Sequence, residues 1–167
     1  MMAGADDMRV FPAPGHDHVR CIETACKRAE AAFASAGVRL TPLRQSVFVE
    51  IAAAHQAIGA YDILDRLATK GARLAPISIY RALDVLLKTG VVHRLESRNA
   101  FFACHHSAGS HTRQVVLVCD QCLMVAEVDG DGVQTAIDSA AERNGFRPRD
   151  TLIEVAGLCH NCRAPGR

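Results

Sequence analysis

Two Cys-x-x-Cys pairs, Cys119/Cys122 and Cys159/Cys162, constrain this chain more than any other feature of its sequence. Such a turn presents two thiolates to one ion, and a tetrahedral zinc takes four ligands. A single pair would equally suit a redox dithiol. That alternative needs a helix opening at the first cysteine, whereas Leu123-Met124-Val125-Ala126 has strand character, and it leaves the second pair unexplained. The 36 residues between Cys122 and Cys159 exceed the roughly 15–20 of a zinc ribbon. They predict a strand, a helix and a strand closed into a small α/β module by the ion.

The remaining composition fits a reducing compartment. Four of the seven cysteines fall in the two pairs, and an odd total does not suggest a disulfide framework. The opening Met1-Met2-Ala3-Gly4-Ala5-Asp6-Asp7 is acidic and has no apolar stretch of the signal-peptide type. No segment approaches the roughly 18 consecutive apolar residues of a membrane span. A cytoplasmic chain with no membrane association is the expectation, and metal rather than disulfides the expected use of its thiols. Aromatic residues are only 5% and tryptophan is absent, but 49% of the 167 residues are apolar. Cores built from Leu, Ile, Val and Ala follow.

The net charge of +1 conceals a modest asymmetry. Residues 21–100 hold eleven Lys/Arg against seven Asp/Glu, and residues 101–167 hold six against eight. A basic first half can approach a phosphate backbone.

Residues 1–20, with Pro12, Pro14 and Gly15, read as a flexible tail, and its His16 and His18 as solvated. Helices are expected over Ile22–Ala36, from Thr41-Pro42 onward, over Tyr61–Lys70 and over Pro76–Thr89. Thr41 is a capping residue and Pro42 suits the first helical position; Gly37, Gly71 and Gly90 are stops. In the fourth helix Ile79, Ala82, Leu83, Leu86 and Leu87 share one face. Arg81, Asp84 and Lys88 lie opposite, with Ser78 beside them. Two strand-like runs, 91–95 and 100–104, flank the polar link Glu96-Ser97-Arg98-Asn99 and predict a hairpin. Helices closed by a hairpin describe a winged helix-turn-helix domain over 21–104.

Residues 105–113 read as a hinge, and 114–163 as the zinc-binding module. In that module strands are expected at 115–118, 123–128 and 152–155, and a helix opening on an Asp131/Gln134 capping box. The fold class is α+β. A second potential ligand set gathers around the hinge: His93, Cys104, His111 and Glu127. Mixed nitrogen, sulfur and oxygen donors suit zinc, and the thiolate disfavours hard ions. Spacing alone leaves His105 and His106 equally available.

Several motifs together resemble the ferric uptake regulator family. They are Arg39-Leu40-Thr41-Pro42, Tyr61-Asp62, Ile79-Tyr80-Arg81-Ala82-Leu83-Asp84 and Cys119-Asp120-Gln121-Cys122. Val92-His93-Arg94, Cys104-His105, His111-Thr112 and Gly157-Leu158-Cys159 resemble its zinc-uptake branch. The resemblance spans about residues 22–163.

It implies a repressor of zinc uptake genes that binds palindromic double-stranded operator DNA as a zinc-loaded homodimer. It also implies a dimerisation role for the second module and two zinc ions per chain. Cys119, Cys122, Cys159 and Cys162 match the structural zinc ligands; His93, Cys104, His111 and Glu127 match the regulatory ones. Tyr61 and Arg81 match DNA-contacting positions, and Ser78 keeps the hydroxyl of the threonine usual there. Leu43 departs from the glutamine common after Thr-Pro. Alternatives within the family are an iron or nickel sensor. A zinc-dependent enzyme is the alternative outside it, opposed by the lack of an open coordination position and of a general base.

Overall fold

A computed structural model describes residues 10–12, 17–104, 114–149 and 151–163. The described residues form two compact units, 17–104 and 10–12 with 114–163. The proposed hinge, 105–113, lies outside the described residues.

The first unit opens with α1, His18–Ser35. Its start lies four residues before the one expected from the apolar repeat, because Asp17 caps it and accepts from the Arg20 N–H at 3.1 Å. α2, Pro42–Ala54, carries Pro42 in its first turn and Thr41 as cap. Val47, Phe48 and Ile51 bury one face of it, and His55 ends it at a φ of 49°. α3, Ala60–Thr69, buries Ile63 and Leu67, and Asp62 accepts from the Gly59 N–H at 3.2 Å. α4, Pro76–Lys88, buries Ile79, Ala82, Leu83 and Leu86. These faces meet in one core that also takes in Phe33, Val92 and Phe101.

β1, Val92–Leu95, and β2, Ala100–Ala103, pair antiparallel with Val92 opposite Ala103. Their link is one turn of 3-10 helix, Glu96–Arg98, released by Asn99 in the left-handed region. Ile58, in the link between α2 and α3, adds a bridge to Phe101, each N–H donating to the other's carbonyl at 2.8 Å. With α3 and α4 packed on α2 and the hairpin following α4, the unit is a winged helix-turn-helix.

The second unit holds β3, Gln114–Cys119; β4, Val125–Asp129; α5, Asp131–Arg143; β5, Ile153–Gly157; and the short α6, His160–Arg163. The sheet order is β4-β3-β5, with β3 antiparallel to β4 and parallel to β5. The parallel pair requires a crossover, which α5 supplies.

Three expectations differ here. Strand β4 begins at Val125 rather than Leu123, because Leu123 sits at a φ of 61° in the turn between the strands. The Asp131/Gln134 capping box does not form. Gly130 precedes the helix, the Asp131 N–H goes to Asp129 Oδ1 at 3.0 Å, and the Gln134 amide donates to Asp138 and Thr151. Part of the expected tail is packed: the Asn161 amide donates to the Pro12 carbonyl at 3.1 Å, and Phe11 lines a cavity of about 170 Å³ with Leu117, Val155 and Leu158.

Candidate metal centre and nucleic-acid interface

The four paired cysteines converge at one end of the second unit's sheet. Cys119 ends β3, and parallel pairing puts it opposite Gly157 at the end of β5, two residues before Cys159. Each Cys-x-x-Cys turn is thereby presented beside the other. All four sulfurs lie within 4.8 Å of one another, and Cys122 and Cys159 are 3.7 Å apart. A tetrahedral zinc with Zn–S near 2.3 Å has S···S edges of about 3.8 Å. The separation fits zinc and is far beyond a disulfide bond.

The electrostatics agree with a cation. Burial pushes the Cys119 thiol up, but the N–H groups of Cys122, Cys159 and Gln121 outweigh it and bring the thiol down to about 6. The Cys159 N–H, 3.4 Å from Cys119 Sγ, is one of these donors. Burial raises Cys122. Cys162 is pushed up to about 12 by burial and by the neighbouring thiols of Cys159, Cys122 and Cys119. Without a dication the cluster therefore keeps protons that bound zinc would displace. The donor set fits the ion.

Of the hinge set, His93 and Cys104 meet at the open end of the β1–β2 hairpin. The Cys104 N–H donates to the Val91 carbonyl at 3.0 Å, one residue before β1, while His93 stands opposite Phe102. Their ligand atoms lie within 4.8 Å of each other. The His93 ring packs on Phe102 at 5.6 Å between centroids, and Cys104 is buried. Glu127 is on β4, opposite Val116, and is 6% exposed, a rare setting for a carboxylate. His111 lies outside the described residues.

The third group is on the helix-turn-helix. Tyr61, in the first turn of α3, is 65% exposed, and Arg81 is exposed on α4. Ser78 and Arg81 line a cavity of about 280 Å³ together with Thr41, Leu43 and Arg44. The first turns of α2 and α4 thus border one space lined also by Arg44 and Arg81, a cationic surface suited to a nucleic-acid strand. Arg44 was missed from sequence: Thr41-Pro42 read only as a cap, and nothing in the spacing placed the start of α2 beside that of α4. The Arg44 guanidinium donates to the Arg39 carbonyl.

A winged helix-turn-helix joined in one chain to a four-cysteine metal module is the architecture of a metal-dependent DNA-binding regulator. The model of the ferric uptake regulator family matches residues 35–156. The chain belongs to that family. It is 39% identical to the zinc uptake regulation protein of Escherichia coli strain K12 over 136 residues, 81% of this chain and 79% of that protein. Among solved structures, a zinc uptake regulator complexed with zinc and DNA has a TM-score of 0.78 at 36% identity, covering 84% of this chain and 94% of the other. The holo form of XcZur has a TM-score of 0.75 at 38% identity, covering 83% and 96%.

Proposed function

We propose that the chain is a zinc-responsive transcriptional repressor that binds palindromic operator DNA as a zinc-loaded homodimer and controls zinc uptake genes. The observation that carries the reading is the His93–Cys104 pair at the base of the wing. A buried thiol beside an imidazole in a DNA-binding unit is a soft donor set, which favours zinc over iron or manganese. The likeness to a zinc uptake regulator complexed with zinc and DNA supports the same choice.

In this reading one structural zinc per chain belongs to Cys119, Cys122, Cys159 and Cys162, and one regulatory zinc to His93, Cys104, His111 and Glu127. Bound zinc supplies a cross-link among thiolate, imidazole and carboxylate donors. Arg81 reads a base edge, with guanine the natural partner of a guanidinium. Tyr61 and Ser78 hold phosphates and fix the register of α4 on the duplex.

A second copy of the chain covers apolar surface left open on the second unit. Val133 on α5, Leu152 before β5, Val155 in the middle of it and Leu158 just after it are each about half exposed, and β5 is an edge of the sheet. Two-fold pairing of such modules would set two recognition helices at the spacing of a palindrome. Among the described residues no helix is long and apolar enough to cross a membrane.

Residues 17–104, containing DNA-binding Tyr61, Ser78 and Arg81, form the DNA-binding domain; 105–113 the hinge; and 114–163 the dimerisation domain. The test is Cys104→Ala, which should keep the structural zinc and the fold but lose zinc-dependent operator binding. A full zinc response in that variant would overturn the regulatory assignment.

A further inference from the structure

Ile77 is an apolar side chain that the fold does not use. It sits in the first turn of α4 and is 56% exposed, whereas Ile79, Leu83 and Leu86 of the same helix are each 1% exposed or less. At 100° per residue it lies almost opposite Leu86 and Ile79, on one stripe with Arg81, Asp84 and Lys88, all exposed. Exposed apolar residues scattered singly need no explanation. This one stands on the outward stripe of the recognition helix, one turn from the arginine, with Tyr80 (40% exposed) beside it and the exposed Tyr61 on α3. That surface is otherwise polar.

We propose that Ile77 is a specificity residue that reads the C5-methyl group of a thymine in each operator half-site. The inference rests on the DNA-binding reading above. Recognition helices meet base edges with their N-terminal residues, and Ile77 precedes Arg81 by four residues, about 6 Å along the helix axis. With base pairs about 3.4 Å apart, the two side chains reach different base pairs, one or two steps apart. Arg81 supplies donors for a guanine; Ile77 has only methyl and methylene groups to offer. Of the major-groove edges, only thymine presents a methyl group, and apolar side chains are its natural contacts. β-Branching restricts the Ile77 side chain to few rotamers, so little freedom is lost on contact.

The test uses the full-length zinc-loaded protein and a duplex selected by it from random sequences. Each thymine of a half-site is replaced in turn by uracil, which removes only the C5-methyl group. The structure predicts one thymine, a step or two from the base pair whose identity matters only while Arg81 is present, at which uracil weakens wild-type binding about fourfold, the value of one buried methyl-sized group. Ile77→Ala should bind the thymine and uracil duplexes equally and accept other bases at that position. The inference is overturned if no thymine responds to uracil, or if Ile77→Ala shows the same uracil penalty as wild type. Failure of the underlying reading looks different: the zinc-loaded protein selects no duplex, or Arg81→Ala leaves sequence preference intact.

Discussion

Replacing Cys119 by serine should cost the second unit more than replacing any other ligand of the four-cysteine cluster. Cys119 is 1% exposed, takes the Cys159 N–H on its sulfur, and has its thiol lowered to about 6 by backbone donors. The other apolar support of that sheet is small. Val115, Val116, Val118 and Val125 are its buried valines, together worth about 6–12 kcal/mol at ~1.5–3 kcal/mol each. Structural zinc contributes about 10–16 kcal/mol at neutral pH, so the metal matches or exceeds the packing. Shared over four ligands, one thiolate accounts for about 2.5–4 kcal/mol. Cys119→Ser should lie at the upper end, and Cys162→Ser, at a more accessible position, should cost less. Hydrogen exchange with zinc analysis is the assay. The mutant should lose zinc and protection over β3 to β5, while residues 17–104, whose core is separate, keep theirs. A Cys119→Ser protein with full zinc content and unchanged protection of β3 would refute the reasoning.

Arg81→Ala should weaken operator binding by roughly 1–3 kcal/mol and relax sequence preference at one base pair per half-site; equal affinity measured by fluorescence anisotropy would contradict the recognition-helix assignment. Acid should weaken zinc binding at the structural site. Cys122 and Cys162 are raised above the ordinary thiol value of 9.0, so at neutral pH each gives up a proton when the ion binds, and affinity should rise at least about 100-fold per pH unit. In the zinc-free protein the lowered Cys119 thiol contributes stability that is fully present above the ordinary value and lost as pH falls through about 6. Chelator competition at pH 6.5 and 7.5 measures the zinc slope, and a pH-independent affinity would contradict it.

The parts of this molecule legible in its sequence are those governed by local chemistry. Thr41-Pro42 and Gly90 mark helix ends, and the Ile79/Leu83/Leu86 repeat gives the buried face of α4. Each Cys-x-x-Cys pair is legible as a local turn, but the parallel register of β3 and β5 brings the two pairs together. What sequence could not supply depends on register. Whether His93 lies near Cys104 is decided by the pairing of Val92 with Ala103 and of Cys104 with Val91. The Ile58 bridge to Phe101 leaves no periodicity, since it involves one residue in a Gly- and Ala-containing link. Asp131 and Gln134 had the right spacing for a capping box, but Asp129 reached the free N–H first and Gln134 found Thr151, a partner seventeen residues away. Val133 of α5 is apolar yet 46% exposed; residue type alone does not reveal whether an apolar side chain is covered by its own chain.

Operator binding titrated with free zinc, iron(II) and nickel(II), with metal content measured alongside, tests the central claim most directly. Binding should require about two zinc ions per chain, filling the second should switch it on, and Cys104→Ala should leave one zinc bound and the switch off. Full DNA binding with a single zinc per chain, or activation by iron at lower free concentration than zinc, would contradict it.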